Sequence, residues 1–97
     1  MHPQIKQFFE QQTRTVKVGG SDWTVGPLPA VQAIELMNEF SKDASVTEQH
    51  LWRSRVVAAG LFPQADAKDC ERLPLHIVRE LSDAILEASL KKSPEAG

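Results

Sequence analysis

The chain has 97 residues, which is enough for one domain and leaves no room for a second core. Apolar residues make up 41% and charged residues 25%, the balance of a folded globular domain rather than a disordered chain. With 11 basic against 13 acidic residues the net charge is −2, and the surplus of lysine and arginine that phosphate neutralisation draws on is absent.

In chain order, Gln4 to Gln12 is polar with Ile5, Phe8 and Phe9 at helical spacing, the pattern of a short amphipathic helix that is marginal in water unless it docks. Residues 1–13 are therefore expected to be weakly structured. Thr15-Val16-Lys17-Val18 and Trp23-Thr24-Val25 are rich in β-branched and aromatic residues. They flank Gly19-Gly20-Ser21-Asp22, which predicts a β-hairpin with a four-residue loop, Val16 and Val18 sharing one face. Gly26-Pro27-Leu28-Pro29 ends the hairpin, and Pro29 suits a helix start. The helix from Ala30 to Ser41 carries Val31, Ile34, Met37 and Phe40 on one face, with Leu36 flanking, and this stripe is expected to face the core.

Ser45-Val46-Thr47-Glu48 has capping-box spacing and opens a helix that runs to about Ala59. Trp52, Val56 and Ala59 are in register there, Leu51 lies beside them, and Arg53 and Arg55 point mainly outward. Gly60 fits the left-handed residue that ends a helix. A polar linker from Leu61 to Cys70 has room for one loose turn, with Asp66 as its cap. The last helix, Leu75 to about Leu90, has the strongest periodicity. Ile77, Val78, Leu81, Ala84, Ile85 and Ala88 form a wide band with Leu86 at its edge, and Glu87 is spaced to pair with Lys91. Ser93 to Gly97 is polar. The sequence thus predicts one mostly α, α+β domain over 1–97: a hairpin followed by three helices forming the core of 14–90, and a mobile tail over 91–97.

Chemistry finds little to work with. His2, His50, His76 and Cys70 share no metal-ligand spacing, and His76 with Glu80 reads as two solvated side chains. Cys70 lies between Asp69 and Glu71, whose carboxylates disfavour a thiolate. Asp66, Asp69 and Glu71 lack the spacing and central glycine of a calcium loop. No phosphate loop or nucleophile turn is present, so the expectation is a non-enzymatic protein without cofactor or metal. A lone cysteine excludes an internal disulfide and fits a reducing compartment. The first ten residues lack the pattern of a secretory signal, and no apolar run reaches the length of a membrane span. A binding role remains, with tryptophan and arginine enriched at protein contacts. The candidate partner-binding residues are Trp52, Arg53, Arg55, Leu61 and Phe62. The unpaired hairpin edge and the wide last-helix band both offer routes to self-association.

Two segments carry a family resemblance. One runs from Val16-Lys17-Val18 through the turn, Trp23-Thr24-Val25 and Gly26-Pro27-Leu28-Pro29 into the helix ending Ala33-Ile34-Glu35-Leu36. The other is Gly60-Leu61-Phe62-Pro63, a short acidic linker, then Leu73-Pro74 and the helix with Leu81, Ala84-Ile85-Leu86 and Ser89. In their order and spacing they resemble the tail assembly chaperones of long-tailed bacteriophages, over most of the chain from Val16 to Leu90. The resemblance implies a protein of the bacterial host cytoplasm, absent from the mature virion. It implies binding to the tape-measure protein, which it keeps soluble, and help in recruiting tail-tube subunits, with no role for nucleic acid or membrane. The alternative is a small regulatory or antitoxin-type binding protein of a mobile element. That reading requires a basic face and a recognition helix after a tight turn, whereas a longer acidic linker separates the last two helices.

Overall fold

The computed structural model describes residues 2–90, the last of them by its backbone alone. The elements are α1 (Pro3–Gln12), β1 (Arg14–Val18), β2 (Ser21–Val25), α2 (Ala30–Glu39), α3 (Val46–Gly60), α4 (Ala67–Glu71) and α5 (Leu75–Leu90). The fold is α+β and mostly α, a two-stranded antiparallel hairpin followed by helices. The mobile-tail expectation for 91–97 and the pairing of Glu87 with Lys91 lie outside the described residues.

The hairpin loop is shorter than the sequence predicts. Val18 pairs with Ser21, so only Gly19 and Gly20 form the turn, and Ser21 and Asp22 belong to β2. Both glycines have positive φ, 62° and 82°, as a two-residue turn matched to the strand twist requires. Val16 lies opposite Trp23, and with Val18 this face packs on the core. Gly19 is doubly constrained, since a Cβ there would strike Cδ1 of Ile77.

Helix α3 is the centre of the domain, with α2, α4 and α5 packed around it. Val56, Val57, Ala58 and Ser54 are all buried, so its apolar residues face several neighbours rather than one. Its start is the predicted capping box: the Ser45 hydroxyl accepts the Glu48 amide at 3.1 Å and the Glu48 carboxylate accepts the Ser45 amide at 3.2 Å. Its end departs from expectation. Gly60 is the last helical residue and has no positive φ; Leu61 caps the helix in an extended conformation. Gly60 is required for closeness instead, because a Cβ would overlap three side-chain atoms of Ile85.

The linker after α3 holds α4, a short helix N-capped by Asp66, whose carboxylate accepts the Lys68 amide at 2.8 Å. Helix α5 then lies along α3 and touches both strands. Ile77, Val78, Leu81 and Ile85 are buried, so most of its wide band is consumed by the core. The Ser89 hydroxyl accepts the Leu28 amide at 2.7 Å and fixes the segment between hairpin and α2 onto α5. Among the described residues no helix is long and apolar enough to cross a membrane.

Candidate interaction surface

Helix α2 is turned over relative to the sequence reading. Leu36 is the residue that packs inward, at 4% exposure, with Ala33 partly covered beside it. Val31, Ile34, Met37 and Phe40 instead lie outward, 68%, 59%, 52% and 49% exposed. The physical reason lies in the two sides of the helix. Leu36 sits roughly opposite Ile34 on the helical wheel and Ala33 lies between the two sides, so either side can serve as the core face. Trp52 decides between them: its indole Nε1 donates to the Leu36 carbonyl at 2.6 Å, and its ring lies 5.0 Å from that of Phe40. That clamp draws Leu36 onto α3 and leaves the larger stripe in solvent. The exposed arc through Val31, Ile34, Met37 and Asn38 carries no charge, while Glu35 and Glu39 sit toward α3.

The five candidate residues fall in three places rather than one. Trp52 and Arg55 border a depression of about 220 Å³ with Glu39, Phe40 and Leu51, at the foot of the α2 stripe. Arg55 grips Glu39 through both guanidinium nitrogens, the second contact being 3.0 Å, and this carboxylate raises the Arg55 pKa further. Arg53 points to the other side of α3. It donates to the Ser82 hydroxyl at 2.7 Å and pairs with Asp83 at 2.9 Å, tying α3 to α5. Both arginines are therefore engaged within the chain, and Arg53 is largely covered rather than outward.

Leu61 and Phe62 belong to a third feature, a groove of about 570 Å³ closed on one side by Lys6 and Phe9 of α1 and on the other by the Gly26–Pro29 segment. Leu61 bridges Val25, and the Phe62 amide donates to the Thr24 carbonyl at 3.0 Å, so this segment runs along the outer side of β2. No residue of α1 is buried; Ile5 and Phe8 are about half exposed, and Phe9 is the one that turns toward the groove.

The titratable residues gather into nothing comparable. Cys70 is buried at 2% exposure, and burial first, then Asp69, Asp66 and Glu71, push its thiol pKa up. His50 holds α3 to α4 through Nε2 and the Glu71 carbonyl at 3.0 Å. Among the described residues no group of three histidine, cysteine or carboxylate side chains is placed to hold a metal.

No family model, no curated protein and no solved structure matches this chain.

Proposed function

We propose that the protein works by binding, as a tail assembly chaperone that covers apolar helical stripes of a tape-measure protein and releases them when tail-tube subunits compete. The observation that carries this reading is the α2 stripe: Val31, Ile34 and Met37, one turn apart along the helix, uncharged and exposed, with the half-exposed Phe40 just past its end. An uncharged apolar stripe left in solvent on a helix whose other side already packs on the core is the kind of surface that marks a partner site. Three anchors at helical spacing match the way an amphipathic helix is gripped. A helix of ten residues spans about 15 Å. Its contact area falls well short of the ~1,600 Å² of a stable protein complex, which suits binding that has to reverse. A regulator that binds DNA is less well supported, because Arg53 and Arg55 are both engaged by carboxylates.

The test is to read the genes beside this one and to co-express the chain with any long, helix-rich protein that they encode. The expected result is that this protein is soluble only with the wild-type chain, and that Ile34→Glu with Met37→Glu returns it to the insoluble fraction. Both positions are exposed, so the double variant should keep its helical circular dichroism and its stability to within about 0.5 kcal/mol. Solubility that survives the double variant would remove the α2 stripe from the reading. A neighbouring protein that precipitates equally with and without the wild-type chain would remove the chaperone.

A further inference from the structure

The hairpin has two edges, and the fold treats them differently. The outer edge of β2 is covered: Leu61 bridges Val25, the Phe62 amide bonds the Thr24 carbonyl at 3.0 Å, and the Gly26 amide bonds the Gly60 carbonyl at 2.9 Å. Helix α1 folds back to that same side, over Gly26, Leu61 and Phe62. Among the described residues nothing comparable lies along β1.

Which backbone groups point outward from β1 follows from the turn. In a hairpin closed by two residues, the pair next to the turn exchanges both hydrogen bonds, and the parity alternates along the strands. Val18 with Ser21, Val16 with Trp23 and Arg14 with Val25 are therefore the bonded pairs. Thr15 and Lys17 are left with amide and carbonyl aimed away from β2. The Phe62 contact to the Thr24 carbonyl verifies that parity, since Thr24 is the residue opposite Thr15. The side chains of Thr15 and Lys17 are exposed and Val16 is half-covered.

We infer that β1 pairs antiparallel with β1 of a second copy, making a four-stranded sheet about a two-fold axis at Val16. In this register Thr15 exchanges both hydrogen bonds with the partner's Lys17, and Lys17 does the same with the partner's Thr15, so every outward group of the strand is used. Val16 meets the partner's Val16. On the solvent face the order across the sheet is Asp22, Lys17, the partner's Thr15, the partner's Thr24, in which no two like charges are opposed and each Lys17 keeps Asp22 beside it. The neighbouring registers are poorer. A shift toward the turn sets Lys17 against the partner's Lys17. A shift the other way sets Lys17 against the partner's Thr13, which is the C-cap of α1 and lies outside β1, so only Thr15 with the partner's Thr15 would pair within the strands. Backbone complementarity within the strand, with no like charges opposed, therefore favours a second copy in this register, and pairing covers an edge otherwise blunted only by its shortness and by Lys17.

The full chain, followed by sedimentation across a concentration series, should show a monomer–dimer equilibrium. Thr15→Lys places a cation opposite the partner's Lys17 twice over and should raise the dissociation constant roughly tenfold, and Thr15→Glu should lower it by a similar factor. The exchange of both residues, Thr15→Lys with Lys17→Thr, should restore the wild-type constant. All three variants change exposed positions, and circular dichroism checks their fold. Amide exchange gives an independent readout: Thr15 and Lys17 amides should become protected as concentration rises. A chain that stays monomeric overturns the inference. So does a dimer indifferent to Thr15→Lys whose Thr15 and Lys17 amides exchange freely, because its interface lies elsewhere. The proposal does not rest on the chaperone reading, and either can fail alone.

Discussion

Gly60 offers a sharp test of how the core is closed. In Gly60→Ala the new methyl would lie 2.6 Å from Cδ1 and 2.7 Å from Cγ1 of Ile85, and closer still to Cγ2. All three atoms belong to a residue with no exposed surface, so it has nowhere to retreat. Overpacking of this kind costs about 1–3 kcal/mol. Against it stands the helical preference for alanine, worth at most ~1 kcal/mol and less at a helix end. The net expectation is a loss of about 1–2 kcal/mol, or roughly 4–16 °C in melting temperature for a domain of this size. A left-handed Gly60 would also be destabilised by alanine, so the single variant does not separate the two explanations. A double-mutant cycle does. Ile85→Ala alone should cost about 2–5 kcal/mol by leaving a cavity. With Ile85 truncated, the Gly60→Ala methyl enters empty space and its penalty should vanish or change sign, giving a coupling of at least ~1 kcal/mol. Urea unfolding followed by circular dichroism measures all four corners. Additive costs would refute the packing explanation and restore a backbone one.

Ser45→Ala removes the hydroxyl that caps α3 and should cost about 1 kcal/mol in urea unfolding. The Ser45 amide first, and its hydroxyl second, hold the Glu48 carboxyl below its ordinary value. The depressed pKa means that this contribution is present above the usual glutamate range and is lost as pH falls through the folded value; Ser45→Ala should make the acid limb shallower. Arg53→Glu places a carboxylate against Asp83 and leaves the buried Ser82 hydroxyl without its donor, so it should destabilise by about 1–3 kcal/mol. Arg55→Gln, at an exposed pair, should cost less than about 1 kcal/mol. Cys70 should resist thiol reagents at neutral pH in the folded chain and react promptly in denaturant, since burial and three carboxylates all oppose the thiolate; fast labelling of the native protein would contradict its burial.

Much of the local structure was written in the sequence because its causes are local. The spacing of Ser45 and Glu48, the glycines between two β-branched runs, and the long apolar period of α5 each specify an element without reference to anything distant. Asp66 as a cap followed in the same way. What the sequence misjudged depends on neighbours. The stripe of α2 is a good amphipathic pattern, but which side of the helix faces inward is settled by Trp52, sixteen positions after Leu36, through a hydrogen bond that no periodicity encodes. Gly60 looked like a turn residue because glycine has two uses, and only the approach of Ile85 from α5 shows that closeness is the one at work. Arg53 and Arg55, close neighbours in any reading of the chain, part toward α5 and α2 because residues two positions apart on a helix diverge by about 200°. Leu61 and Phe62 end up beside β2 rather than with Trp52. The sequence by itself determined the main elements, the N-caps of α3 and α4 and the chain order; tertiary packing decided which apolar residues are core and which are surface, since burial is a property of what lies opposite a side chain and not of the side chain alone.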